Sequence, residues 1–445
     1  MSSIIKNIYE KSFSHSKINE AHNRMKSASG VDGMIMESFA MDSHDLLKST
    51  GVVTKSEISV ENDYDIQRQL RRCFGKEGIN KNKIGGHPDF DYLVDDRKTK
   101  RGYVTTLFID IKNSTKLGLI YPPEMVFSIK NDIIKCAIET ILAFDGHVHR
   151  IMGDAVLAFF RTEQRPENSA VNAINCAVCL VKFIEDVVSP GLEQQDIDPV
   201  SIRIGIDYGD DENVLWGMYG YQGASEVTAT SFYVDVAAKL QQSASKNKIM
   251  IGDSLRSLID IPDHYLDLKK EGDNICRYVK PNYRDATGNQ INYKQFELNS
   301  DSYLKLLPLK DTGLNMIPYY PDNFSVEMTL TDSNGSPSQD VYYSCARIVP
   351  KNRSIRFKVT FRGASDSSYK VRYRVENNGL DAKRAYPENN GNHETFVDAQ
   401  YQQNNNYFAV HREPTAYLGL HYMYVSVYKN GQLHMAEKRI GVYVA

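Results

Sequence analysis

The sequence predicts an α+β chain that begins helical, alternates strands with helices through its middle and ends in an all-β, sandwich-like domain. Three observations carry this. Near the start, Ile4, Ile5, Ile8 and Tyr9 recur at helical spacing. From Gly102 onward, β-branched and aromatic runs alternate with amphipathic stretches, as strands and covering helices do. Beyond residue 320 the apolar period falls to two: Ile355, Phe357, Val359 and Phe361 alternate with polar residues, as do Tyr369, Val371, Tyr373 and Val375.

Taken in order, residues 1–72 read as a helical region closed by the basic turn DIQRQLRRCF. Residues 73–101, rich in Gly, Lys and Asp, read as a linker. Residues 102–260 form the mixed unit: the strand YVTTLFID, a helix opened by Pro122 and Pro123, the hairpin GHVHRIMGDAVLAFF and the helix ENSAVNAINCAVCLVKFIEDVV. The strand SIRIGIDYG, the helix SFYVDVAAKLQQSAS and the strand KIMIG follow, with Asp253 and Ser254 placed to cap the next helix. Residues 261–320 connect to the β domain at 321–445, where Asn430-Gly431 marks a tight hairpin and three Asn-rich stretches read as long polar loops.

Composition narrows the function classes. The 445 residues are 41% hydrophobic and 24% charged, enough for sizeable cores, and their formal charge is −3. That balance argues against a nucleic-acid partner. No run of about 18 apolar residues is present, so no direct membrane insertion by a helix is expected. The N-terminus MSSIIKNIYEKSFSH lacks a signal peptide's apolar core. Six cysteines do not make a disulfide framework in so long a chain, and a cytoplasmic location is expected.

The most informative residues are two acids. Asp110 ends the apolar strand in FIDIKNST, and Asp154 sits at the Gly-Asp turn 44 residues later. A carboxylate closing a buried strand needs a partner, because an isolated buried charge is expensive. Two such oxygen ligands on adjacent strands suit Mg²⁺ or Mn²⁺, with positions left for phosphates. The competing reading has each acid capping its own turn.

FIDIKNST followed by MGDAVLAFF resembles the class III nucleotidyl cyclases, as do GHVHRIMGDAV, RIGIDYG and VDVAAKLQQSASKNKIMIGDS across about 103–260. The resemblance implies a ferredoxin-like catalytic domain, a sheet with helices on one face. It also implies a homodimer with active sites between subunits, and two Mn²⁺ or Mg²⁺ ions held by Asp110, Asp154 and the Ile111 carbonyl. Phe108 is implied to contact the substrate, and the turn residues Asn113, Ser114 and Thr115 fall where the family's turn donates backbone N–H groups to phosphate; plain helix capping is the alternative role of these three.

The departures point to the base. Where adenylate cyclases keep a purine-reading Lys, four residues before the second acid, Arg150 stands. Thr228 falls at that Lys's partner position, Asp235 replaces the ribose-orienting Asn, and Lys239 replaces the transition-state Arg. An i,i+4 surface pair is the alternative for the last two. Altered base readers with intact metal positions resemble the pyrimidine cyclases of bacterial Pycsar anti-phage systems, and the β domain resembles the sensor domain of such defence cyclases. The substrate implied is CTP, with UTP next and a purine triphosphate third. An inactive nucleotide-binding sensor is the alternative of another class, and a phage-derived trigger at the β domain is implied too. Tyr103 is expected to close the base pocket or to pack in the core. Cys176 and Cys179 read as core packing, His147 and His149 as flanking the hairpin turn, Trp216 as a loop residue, and Asp210, Asp211 and Glu212 as a solvated turn.

Overall fold

The computed structural model describes residues 2–13, 64–96, 98–162, 165–221, 224–309, 324–331, 337–365 and 367–445. Of the expected helical region, α1 (Ser2–Tyr9) and α2 (Asp65–Cys73) are described. The remainder, 14–63, lies outside the described residues, as do 310–323 of the connecting segment. Both helices bury their apolar stripes in the main core through Ile5, Ile8, Tyr9, Ile66 and Leu70. Tyr9 stacks on Phe183 with ring centroids 4.6 Å apart, and its hydroxyl meets Thr140 Oγ1 at 2.8 Å.

The stretch read as a linker is instead packed onto the middle unit. Lys76 pairs with Asp145 at 2.6 Å, and Phe90 stacks on Trp216 with centroids 4.2 Å apart. Its polar composition resembled a loop because the partners that satisfy its charges lie far away in sequence.

The middle unit is built on β1 (Val104–Lys112), α3 (Ser114–Ile120), α4 (Pro123–Ala143), β2 (Gly146–Met152), β3 (Ala155–Phe160) and α5 (Pro166–Phe183). Then come β4 (Ser201–Gly209), β5 (Leu215–Tyr221), β6 (Ala224–Thr230), α6 (Phe232–Ser243), β7 (Lys248–Gly252) and α7 (Asp253–Leu258). With β8 (Leu266–Asp267) and β9 (Gln295–Leu298), the main sheet runs β2-β3-β1-β4-β7-β9-β8. The sheet therefore continues past residue 260, where the sequence reading closed the unit. β5 and β6 form a separate hairpin with the short strand Lys100–Arg101.

Strand alternation sorts the two faces. Leu107, Ile109 and Ile111 of β1 and Ile202, Ile204 and Ile206 of β4 enter the main core with α4 and α5. Phe108, Asp110 and Arg203 point to the other face. α5 is buried on all sides, Cys176 and Cys179 included, and burial pushes both thiols up, as packing residues rather than nucleophiles. α6 crosses the opposite face, so the helices do not all share one side. Gly205 permits this: a Cβ there would lie 2.2 Å from the Ala237 carbonyl oxygen and the Gln241 nitrogen.

Three local expectations change. Trp216 lies in β5, fully buried, and its Nε1–H donates to the Gly102 carbonyl at 2.8 Å. His147 and His149 lie within β2 rather than at its turn, both contacting the Gly85 carbonyl, at 2.9 and 2.8 Å. α7 begins at Asp253 itself, with no side-chain cap from Gly252. Its free N–H groups are met from neighbouring elements: Ser254 N–H donates to the Tyr293 hydroxyl (2.9 Å) and Leu255 N–H to Asp207 Oδ1 (3.4 Å).

The C-terminal domain is a sandwich of two five-stranded sheets. One sheet contains β10 (Phe324–Thr331), β11 (Pro337–Val341), β13 (Ser354–Arg362), β16 (Gln400–Gln402) and β17 (Asn406–Pro414). The other contains β12 (Ile348–Val349), β14 (Tyr369–Glu376), β15 (His393–Asp398), β18 (Gly419–Lys429) and β19 (Gln432–Val444). The alternating residues of β13 and β14 face each other in its core. Asn430 and Gly431 take φ of 50° and 84°, the positive pair a primed hairpin turn needs. The Asn runs themselves lie in turns and connections, at 377–378, 387–392 and 403–405, and between them lie α8 (Gly379–Ala385), β15 and β16. Exposed edge strands bury too little for alternation to be legible.

The sandwich is not independent of the middle unit. Cys345, Leu420, Tyr422 and Tyr443 belong to the same core as α5. Asn175 of α5 ties the two together: its Nδ2 donates to the Cys345 carbonyl (2.8 Å) while its Oδ1 accepts from Tyr303 Oη (3.1 Å). Tyr443 Oη in turn lies 3.3 Å from Tyr303 Oη. Asn175→Ala strands two buried polar groups and is expected to cost about 1–3 kcal/mol in urea unfolding. A shift below a few tenths would mean the network is not structural.

Asp207 is fully buried, and desolvation pushes its carboxyl up to about 7 despite donation from Tyr293 Oη at 2.8 Å. Between about pH 4 and pH 7 the folded state holds a proton that the unfolded chain has released, so this group's contribution to stability falls as pH rises through that window. Asp207→Asn is expected to remove that slope. Urea midpoints at pH 5 and pH 8 measure it, and the variant should gain on the wild type at pH 8.

Candidate active site

Two adjacent strands bring the acids together. Asp110 faces Ala155 in the β1–β3 register, and Asp154 is the residue just before Ala155. The Ile111 N–H donates to the Asp154 carbonyl at 3.3 Å, locking the turn against the end of β1. Gly153 takes φ 67° in the two-residue β2–β3 connection, which presents Asp154 at the tip.

Each carboxylate has local partners. Asp110 pairs with Arg203 of β4 and accepts from Gln241 Nε2 of α6 at 3.1 Å. Asp154 accepts from the Ser114 hydroxyl, with Lys130 Nζ 3.8 Å away. Asn113 stands before α3 in the left-handed region, φ 72°, and its side chain makes no cap bond. Ser114 is buried against Asp154 and Thr115 is exposed. The plain capping alternative therefore does not describe Asn113.

Register places the remaining face residues. A β-bulge at His149 shifts β2, so that Arg150 lies opposite Leu157, which lies opposite Phe108, which lies opposite Gly205. The next row toward the turn is Met152, Ala155, Asp110 and Arg203. Arg150, Phe108 and Asp110 thus share the face that α4 and α5 leave open. Arg150 is ion-paired with Glu226 of β6, a residue the sequence reading did not single out. Its signal was its place two residues from Thr228 on the same strand face, with Val227 and Ala229 turned into the core.

Lys239 lines a cavity of about 420 Å³ with Lys112, Arg203, Lys269, Lys270, Lys280 and Glu271, the last paired with Lys269 (2.7 Å) and Lys280 (2.9 Å). Asp235, one turn earlier on α6, is exposed, and among the described residues it makes no ion pair with Lys239, so the surface-pair alternative does not describe them. Tyr103 is not brought to this face. It is buried at the far end of β1, where its hydroxyl donates to the Thr162 carbonyl at 3.1 Å and Arg161 lies 4.3 Å above its ring. Asp211 Oδ1 accepts from the Tyr103 N–H at 2.7 Å, so the acidic turn has a structural partner.

Residues 97–280 match the adenylate and guanylate cyclase catalytic domain, and residues 309–445 match the adenylyl/guanylyl and SMODS C-terminal sensor domain. The chain is 40% identical over 410 residues to a cytidylate cyclase of Escherichia coli, covering 89% of this chain and 86% of that one. The chain belongs to the cytidylate cyclase family. A second Escherichia coli cytidylate cyclase is 33% identical, with 86% of this chain and 88% of that one covered. One from Staphylococcus aureus is also 33% identical, with 85% and 87% covered.

The protein is accordingly a class III nucleotidyl cyclase carrying a C-terminal sensor domain, and enzymes of this class work with divalent metal ions. The donor set fits such an ion: two carboxylates and a backbone carbonyl are hard oxygen ligands, suited to Mg²⁺ or Mn²⁺ rather than to a thiol- or imidazole-seeking metal. Among the described residues no helix is long and apolar enough to cross a membrane. Asp110→Asn and Asp154→Asn are each expected to lower cyclic nucleotide formation at least about 100-fold while leaving the melting profile within a few degrees. Wild-type turnover by either folded variant would remove the acids from the chemistry.

Proposed function

We propose that this cyclase converts CTP to 3′,5′-cyclic CMP and pyrophosphate, as a homodimer in the cytoplasm, with the product serving as a second messenger in anti-phage defence. The observation that carries the reading is the pairing of Asp110 and Asp154 at one corner of the sheet, on the same open face as Arg150. The family relatives, named for cytidylate cyclisation, supply the choice of base.

Asp110, Asp154 and the Ile111 carbonyl would hold two Mg²⁺ or Mn²⁺ ions. Such ions acidify the ribose 3′-hydroxyl and offset the charge of the triphosphate. Asn113, Ser114 and Thr115 border the phosphates. Lys239 offers positive charge to the oxygens of the phosphorus under attack, and the lysines of its cavity receive the departing pyrophosphate. Asp235 accepts from a ribose hydroxyl, Phe108 packs beside the base, and Thr228 and Arg150 stand at its polar edge.

A second copy is supported by exposed apolar side chains of the middle unit. Leu119 of α3 (84% exposed), Phe127 of α4 (70%) and Tyr219 and Tyr221 of β5 (53% and 76%) leave large apolar side chains uncovered on the middle unit. Such side chains suit a partner subunit. The sandwich, tied to α5 beneath β1 through Asn175, is the domain where a phage-derived trigger would act.

Product analysis with CTP, UTP, ATP and GTP in Mn²⁺ tests the reading; cyclic CMP should dominate, and another product would displace it. Lys239→Ala is expected to lower kcat by about 100-fold with a small change in KM, because positive charge at the reacting phosphorus matters most in the transition state. An equal loss confined to KM would make Lys239 a simple substrate ligand.

A further inference from the structure

The partner of Arg150 is Glu226, not Thr228. The two side chains are 46% and 36% exposed, on a face that already carries Phe108 and Asp110. An exposed pair of this kind adds little to folding stability, so stability alone does not explain an acid here. His149 comes within 3.8 Å of Glu226, but burial lowers its pKa and so disfavours the imidazolium, and Arg150 is the permanent charge that Glu226 faces. A carboxylate accepts up to about four hydrogen bonds and a guanidinium donates five, so the pair keeps free donors and acceptors side by side.

We propose that Glu226 is a specificity-determining residue that accepts a hydrogen bond from the 4-amino group of cytosine, while Arg150 donates to the neighbouring ring nitrogen or carbonyl. This rests on the proposed CTP cyclisation and adds what selects the base. Cytosine presents an acceptor at N3 beside a donor at the 4-amino group, matching guanidinium beside carboxylate. In the same pose uracil presents its 4-carbonyl to the carboxylate, setting acceptor against acceptor, so the pair rejects UTP as well as favouring CTP. Thr228, on the same strand face, sits beside the pair. The Val227 and Ala229 side chains, packed with Trp216, Phe90 and Phe159, hold β6 in place.

The test uses the full-length chain with three substrates: CTP, UTP and the triphosphate of the 4-deamino analogue, a 2-pyrimidinone riboside lacking only the amino group. The wild type should favour CTP over the analogue by about 10- to 100-fold in kcat/KM, the loss typical of one hydrogen bond to a charged group. Glu226→Ala should bring CTP down to the level of the analogue and leave the analogue itself within a few-fold of wild type. The isosteric Glu226→Gln, which can turn an N–H toward a carbonyl, should relax discrimination against UTP. If Glu226→Ala lowers all three substrates alike, Glu226 only holds Arg150 and the proposal fails; the same holds if the wild type cyclises the analogue as well as CTP. A wild type whose main product is not cyclic CMP would instead overturn the parent reading, whatever Glu226 does.

Discussion

Holding two carboxylates at one corner of a sheet is the constraint on which the rest of this site depends. Like charges on adjacent strand ends repel, and neither can be left without compensation. β1 and β3 supply the position through their register, and the neighbours supply the charge: Arg203 for Asp110, and Ser114 with Lys130 for Asp154. The cost of this arrangement is met by α6, which must lie close enough to bring Gln241 to Asp110. That closeness in turn requires a residue without a side chain at position 205.

The same face explains why the polar residues fall into two groups. One group, Asp110, Asp154 and Ser114, is gathered by strand ends and the turn between them. The other, Lys239 with the lysines of its cavity, is presented by α6 and the segment after β7. A nucleoside triphosphate is negative at one end and neutral, with directional hydrogen bonds, at the other. The cationic cavity and the Arg150–Glu226 pair are suited to those two ends.

The opposite face is given over to packing. α5 is buried all round because it is covered by the sheet on one side, by α1 on another and by the sandwich on a third. One of its buried polar residues, Asn175, bonds both the Cys345 carbonyl of the sandwich and Tyr303 of the connecting segment. A change in how the sandwich sits would therefore strain a hydrogen-bond network one helix away from β1, and β1 carries Asp110.

Strand and helix identities, the hairpin bearing Asp154, the Asn430-Gly431 turn and the alternation of β13 and β14 were legible in the sequence, because each depends on residues near one another in the chain. So were Asp110, Asp154 and the unusual Arg150, since short motifs carry them. The packed state of the stretch read as a linker, the burial of Trp216, and the capping of α7 by Asp207 and Tyr293 were not. Each depends on a partner tens of residues distant, and a local pattern is silent about such partners. Glu226 is the sharpest case. The family resemblance pointed to Thr228, but the bulge at His149 and the pairing of β5 with β6 decide which side chain meets Arg150. The chain's order of residues determined what chemistry was available. Only tertiary structure decided which groups face each other, because hydrogen bonds and ion pairs act through space over a few ångströms, whatever the separation along the chain.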